Sequence, residues 1–145
     1  MDHQDDTCIF CDILAGRSPA EVLYENAHAL AILDIRPIHH GHSLVIPKVH
    51  CRDFLDVPPD YLPGLMEATQ TVAAATVRTL SLQGFNVFSN NGRVAGQSVF
   101  HFHFHVTPRY HDDQIRFELT LKRYTDGQMQ DLGRRIRQNL PALSR

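Results

Sequence analysis

The run Val99-Phe100-His101-Phe102-His103-Phe104-His105-Val106 constrains this chain more than any other feature. Successive residues of an extended strand point to opposite faces. Phe100, Phe102, Phe104 and Val106 then share one face, and His101, His103 and His105 share the other. Burying each phenyl ring stabilises by about 1.5–3 kcal/mol, so the first face has an obvious place against a core. The second face has none. A merely solvated face would be served as well by Thr, Lys or Glu, so three imidazoles in register mark a site.

Two chemistries compete for that face. Alternate strand residues stand about 6.6 Å apart, which separates His101 from His105 by about 13 Å along the strand. Metal–nitrogen bonds measure only about 2.0–2.1 Å, so three histidines on a straight strand do not easily share one ion. The other reading divides the labour: one end histidine serves structure and the other two face a substrate. Neutral imidazole is a good nucleophile toward phosphorus, and imidazolium donates hydrogen bonds to phosphate oxygens. The preceding segment favours phosphate. Gly92 and Gly96 let backbone approach an anion, and Asn90, Gln97 and Ser98 can supply hydrogen bonds.

With 145 residues, 43% hydrophobic and 21% charged, the chain reads as one globular domain over residues 1–145. A net charge of −2 and a pI near 6.5 give no field for long nucleic acid. No run of about 18 apolar residues suggests a membrane span. Met1 to Thr7 is acidic and polar, unlike a secretion signal, and three cysteines (Cys8, Cys11, Cys51) read as reduced thiols or metal ligands. Together these point to the cytoplasm.

The pattern predicts a short helix over 8–15, capped by Thr7 and stopped at Gly16. Strands follow at 22–25, 28–34 and 43–46, the last ended by Pro47. A long amphipathic helix spans 61–82, with Asp60 as cap and Gly84 just beyond its end. Further strands are expected at 85–89 and 99–107, a loop at 90–96, a possible strand at 115–121 and a helix over 126–140. Helices interleave with antiparallel strands without a βαβ rhythm, which makes the fold α+β.

These residues resemble the histidine triad (HIT) family, specifically its nucleoside phosphoramidase-like branch. The resemblance rests on His101-Phe102-His103-Phe104-His105-Val106-Thr107-Pro108, preceded by Gly96-Gln97-Ser98-Val99-Phe100. It extends to Arg36-Pro37, Gly41-His42, Leu44-Val45-Ile46-Pro47-Lys48-Val49-His50, Leu33-Asp34-Ile35 and Cys8-Ile9-Phe10-Cys11. The motif-bearing core is about 8–109, and the extension 110–145 carries no matching motif.

The resemblance implies a five-stranded antiparallel sheet with a long helix and a C-terminal helix, in a homodimer. It implies a hydrolase or transferase acting at the α-phosphate of nucleoside phosphoramidates or related adenylates. His103 would form a nucleotidyl-histidine intermediate, and His105 would bind a phosphate oxygen. His42 would orient and polarise His103, and Ser98 would contact the phosphate and protonate the leaving group. Asn90, with Gly96 and Gln97, would hold the phosphate. Asp34 would bind the ribose hydroxyls, and Phe10, Ile13, Ile32 and Ile35 would line the pocket for a purine base. No cofactor is required for that chemistry. Alternatives are a dinucleoside polyphosphate hydrolase, or a nucleotide-binding regulatory protein with little turnover.

Cys8-x-x-Cys11 has a spacing that suits tetrahedral zinc, but two further ligands are needed. Some bacterial members of the family bind structural zinc with matching residues, which implies a site built from Cys8, Cys11, His50 and His101. Four protein ligands leave no position for a catalytic water. Cys51 reads as a spare thiol. His3, His28, His39, His40 and His111 read as loop residues, and Asn91 stands where relatives vary. Arg134, Arg135 and Arg137 read as a solvated helix face.

Overall fold

The computed structural model describes residues 7–142, so His3 lies outside the described residues. The chain divides into two compact units, one running to Asp113 and one starting at Gln114. The sequence reads as a single domain instead, with its motif-bearing core ending near Arg109.

The first unit contains α1 (Ile9–Leu14), β1 (Val22–Glu25), β2 (Ala29–Leu33), β3 (Ser43–Pro47), α2 (Leu62–Leu80), β4 (Gly84–Phe88) and β5 (Phe104–Arg109). The strands form one sheet in the order β1-β2-β3-β5-β4, and every pairing is antiparallel. This is the α+β, five-stranded arrangement that the sequence led us to expect.

Period-two alternation sends the sheet's side chains into two separate cores. Ala29 and Ala31 of β2, Val45 of β3 and Val106 of β5 pack under α2 with Phe102 and the partly buried Phe104. The helix meets them with Leu65, Ala68, Thr69, Val72 and Ala73, the i, i+3, i+4, i+7, i+8 stripe of an amphipathic helix. Leu30, Ile32, Leu44 and Ile46 face the other way and pack with Phe10 of α1. The histidine side of β5 therefore looks onto the α1 face.

Several local readings are corrected. Cys8, not Thr7, caps α1: its Sγ accepts the Cys11 N–H at 3.4 Å. Asp60 does not cap α2. It sits in a 3₁₀ turn, Pro59–Tyr61, that leads straight into the helix. At the other end Ser81 takes the left-handed turn (φ 51°, ψ 47°), which frees Gly84 to begin β4.

The expected strand 99–107 is shorter and shifted, running from Phe104 to Arg109. The reason lies in β3, which ends at Pro47, a residue with no N–H to continue a ladder. Before Phe104 the chain makes single bonds instead, such as Phe102 N–H to the Cys51 carbonyl at 2.7 Å. The alternation survives that change, because Phe102 and Phe104 still join the α2 core while His101 and His103 are buried elsewhere.

In the second unit, residues 115–121 form no strand. The alternating apolar side chains supply a face but no ladder: Leu119 and Leu121 are 74% and 85% exposed. The expected helix is present as α3 (Gln128–Gln138). Its apolar residues Met129, Ile136 and, just beyond, Leu140 are exposed. The arginines lie on a solvated helix, Arg134 and Arg135 facing Asp131.

Candidate active site and metal centre

The β3–β5 pairing sets the site. Leu44 lies opposite His105 across the strands, and His42 immediately precedes β3. Gly41 carries the turn before it with φ +96°, and a Cβ there would stand 2.8 Å from Leu80 Cδ1. His42 is thereby pressed against the sheet, only 3% exposed.

Hydrogen bonds fix every ring. The Ile38 N–H donates to His42 Nδ1 at 3.1 Å, so the proton of neutral His42 sits on Nε2. That Nε2 donates to His105 Nδ1 at 2.9 Å, which leaves His105 Nε2–H as a donor for a ligand. His103 Nδ1 donates to the His101 carbonyl at 2.8 Å, so its Nε2 bears the lone pair. His101 Nε2 donates to the Pro47 carbonyl at 3.1 Å, so its Nδ1 bears one too. One set of tautomers thus yields a bare nitrogen, a donor beside it and a ligand nitrogen at the far end.

Burial keeps these rings neutral. Desolvation lowers the pKa of His42 and His103 and takes His105 down to about 4, with the neighbouring imidazoles adding to it. The Asp34 carboxylate, 3.8 Å from His42 Nε2, pulls in the opposite direction. Aromatic rings complete the packing. Phe88 stacks on His105 at 4.6 Å, and Phe10 meets His103 edge-on at 5.1 Å.

Other sequence-predicted residues fall as follows. His42 reaches His105 directly, where the sequence reading aimed it at His103. Asp34 turns one oxygen onto the Arg36 N–H at 2.8 Å. Gln97 does not present its side chain to a ligand. It accepts from the Gly92 N–H at 2.9 Å and donates to the Arg52 and Val99 carbonyls, which braces the loop from inside. Gly96 takes φ +95° beside Asn90, whose Nδ2 points to the Gly96 carbonyl at 3.5 Å. Ser98 is exposed. Ile32 is buried in the α1-side core with Phe10, Ile13 packs partly against it, and Ile35 is 90% exposed.

The structure also shows residues that the sequence reading passed over. Phe88, the Ile38 N–H and the Pro47 carbonyl each fix an imidazole. Asn91 accepts from the Phe54 N–H at 2.8 Å. Of these only Asn91 had a visible signal, a polar residue beside a glycine in a loop; backbone groups and a cross-strand neighbour carry none.

The donor set at α1 fits a metal. The ligand atoms of Cys8, Cys11, His50 and His101 all lie within 4.8 Å of one another. Cys8 Sγ is 3.4 Å from His101 Nδ1, and Cys11 Sγ is 3.3 Å from His50 Nδ1. His101 gives its other nitrogen to a backbone carbonyl, the usual support behind a metal-binding imidazole. Burial and the Cys8 thiol push the Cys11 thiol up to about 11, a penalty that a bound cation would reverse. Cys51 is a buried thiol pushed to about 11 by burial, apart from the cluster.

Comparison with known proteins gives the family. The HIT domain family matches residues 15–112. The chain belongs to that family. It is 46% identical over 106 residues to an uncharacterized HIT-like protein of Methanocaldococcus jannaschii, covering 73% of this chain and 81% of that one. It is 38% identical over 118 residues to adenylylsulfatase HINT3 of Arabidopsis thaliana, covering 81% of this chain and 60% of that protein. It is 39% identical over 105 residues to adenosine 5'-monophosphoramidase HNT1 of Saccharomyces cerevisiae, with 72% and 64% covered. Among solved structures, a HIT family member from Bacillus subtilis superposes with TM-score 0.89 at 34% identity, over 95% of this chain and all of the other. A zinc-bound histidine triad family protein from Mycobacterium smegmatis superposes with TM-score 0.71 at 40% identity, over 91% of each chain.

Proposed function

We propose that this HIT domain hydrolyses nucleoside phosphoramidates or related adenylates at the α-phosphate, through a nucleotidyl group carried on His103 Nε2. The observation that carries this reading is the His103 Nδ1 bond to the His101 carbonyl, which leaves Nε2 as a fixed lone pair beside a donor, His105 Nε2–H. The named activities of two relatives, an adenylylsulfatase and a phosphoramidase, support it.

In the first step Nε2 attacks phosphorus and the bond to the leaving group breaks. Ser98 gives the departing atom a proton. His105 Nε2–H and the backbone N–H of Ser98 hold the phosphoryl oxygens as charge shifts onto them. Water then bonds to phosphorus as the P–Nε2 bond breaks; its proton returns to the Ser98 oxygen, and His103 regains its starting tautomer. His42 acts at one remove, by keeping His105 a donor. Asn90 and Gly96 shape the phosphate loop, with Gln97 holding it from behind. Asp34 binds the ribose through its remaining oxygen. A purine base packs against Ile35 and Ile13, with Phe10 and Ile32 buried behind them as the floor of the pocket.

Cys8, Cys11, His50 and His101 hold a structural zinc. Purified protein should carry about one zinc per chain, as a four-ligand site binds tightly. Equal, near-zero zinc in wild type and Cys8→Ser would remove the metal from this account. The chain functions as a homodimer, and the exposed edge strand β4, with Phe85 and Val87 over 40% accessible beside Met66 of α2, supports that assembly. A monomer mass in solution would contradict it. Cysteines that serve as zinc ligands (Cys8, Cys11) or as a buried thiol (Cys51), with none in a disulfide, support a reducing, cytoplasmic setting. No helix of the described residues is long and apolar enough to cross a membrane.

The deciding experiment is mass spectrometry of quenched turnover with adenosine phosphoramidate. An adenylyl adduct on His103 is expected. Nucleotide binding with no turnover in wild type, unchanged in His103→Ala, would favour a binding protein instead.

A further inference from the structure

The metal cluster and the catalytic pair share one residue and one ring. His101 places its Nδ1 3.4 Å from Cys8 Sγ and 3.6 Å from Cys11 Sγ, while its backbone carbonyl accepts the bond from His103 Nδ1. Phe10 lies between the two cysteines on α1 and is 5% exposed. Its ring meets His101 at 5.7 Å and His103 at 5.1 Å, edge-on to both. One route from cluster to nucleophile therefore runs through a backbone carbonyl and the other through a phenyl ring.

Both routes need an external support. The helix α1 has only six residues, far below the length at which a helix holds itself together in water. Its first turn is capped by a thiol sulfur, a weak acceptor. The imidazole torsion of His103 has a broad minimum, so the ring depends on its neighbours for direction. One hydrogen bond holds the Nδ1 side, and two rings wall it against tilting: His105 at 4.7 Å, itself fixed by His42, and Phe10 at 5.1 Å, carried by the short helix. Whatever fixes Cys8 and Cys11 also fixes Phe10.

We propose that Phe10 is a positioning residue for His103, and that zinc bound at the Cys8–Cys11–His50–His101 cluster raises turnover by holding Phe10 and the His101 carbonyl in place. This rests on His103 being the nucleophile. It departs from the expectation that Phe10 serves only as a wall for the base. A base wall acts on substrate affinity and so on KM. A support for the nucleophile acts on the geometry of attack and so on kcat, where a misplacement of about 1 Å costs about a hundredfold.

The test compares zinc-loaded wild type, zinc-loaded Phe10→Leu and wild type stripped by a chelator, all as the full chain. Leucine keeps the apolar fill but removes the ring edge. For Phe10→Leu we expect wild-type zinc content, KM within about twofold and kcat lower by about tenfold to a hundredfold. Stripped wild type should fall in the same direction and recover when zinc is returned. Imidazole proton–nitrogen spectra give a readout that needs no turnover. The His103 signals, assigned by their loss in His103→Ala, should be sharp in loaded protein and shifted or broadened in Phe10→Leu and in the stripped form. A raised KM with unchanged kcat in Phe10→Leu would overturn the proposal, as would His103 signals indifferent to zinc. If Phe10→Leu fails to fold, stripped and reloaded wild type still decides the matter. If wild type hydrolyses nothing, the hydrolase reading falls while the spectra still test the support.

Discussion

The two faces of the central sheet are built from the same strands and live under different rules. Toward α2, β2, β3 and β5 present alanine, valine and phenylalanine to a helix whose buried positions are apolar but for Thr69, which bonds back to the Leu65 carbonyl. Toward α1, an apolar cluster adjoins buried imidazoles, and each ring is held by a particular backbone group or neighbour. The first face needs volume and shape. The second needs named donors and acceptors, because burying an unmatched polar group costs about 1–3 kcal/mol. Substitutions on the first face should therefore change stability, and on the second they should change chemistry.

The sharpest break between the faces is His103→Ala. If His103 is the nucleophile proposed above, its removal costs about 10⁴- to 10⁶-fold in kcat. Thermal unfolding of this variant should change far less than its activity: the α2 core is untouched, and the loss is confined to the buried ring and its bond to the His101 carbonyl. A variant that lost activity only in proportion to lost folded protein would erase the distinction. The converse is Leu65→Ala, at a fully buried position under the sheet. It should cost about 2–5 kcal/mol in denaturant unfolding, with kcat per folded molecule within about twofold of wild type.

The same contrast governs what could be read from the sequence. Alternation in the histidine run separated Phe102, Phe104 and Val106 from His101, His103 and His105, because side-chain direction follows from local geometry alone. The stripe in α2 was legible for the same reason. Where a long-range backbone partner decides, the reading slipped. Strand β5 starts five residues later than the pattern suggests, since Pro47 on another strand ends the ladder. Gln97 read as a phosphate ligand, yet it spends its amide on Gly92, Arg52 and Val99, contacts that only the folded loop reveals. His42 bonds to the His105 ring, 63 positions away in the chain, a contact that the spacing of the motifs does not reveal. Residues 115–121 alternate like a strand, but alternation cannot supply a partner.

Acidity should separate the faces next. Native His105 has its pKa held near 4 and His42 is lowered as well, while an unfolded histidine takes its proton near 6.5. Above pH 7 neither state binds that proton, and stability should be flat. As pH falls from about 6.5 toward 4, the unfolded chain gains protons that the folded chain refuses, so stability drops. The zinc-loaded protein should lose about 5 °C or more in Tm across that window. His105→Asn should show a shallower slope, because one refused proton is gone. An unchanged slope would place the titrating burden elsewhere.

The smallest effect belongs to a region that obeys neither rule. Ile136 of α3 is apolar, as on the α2 face, but 56% exposed, and α3 has no buried residue. Its burial contributes little, and the chemistry does not use it. Ile136→Ser should therefore change unfolding free energy by no more than about 0.5 kcal/mol, the usual span for a surface substitution. A loss near that of Leu65→Ala would mean that this face is covered in the working protein. Concentration-dependent unfolding would then assign the cover to a second copy, since association stabilises by mass action. A small loss, independent of concentration, leaves α3 held by its own backbone bonds and by ion pairs such as Arg134 with Asp131.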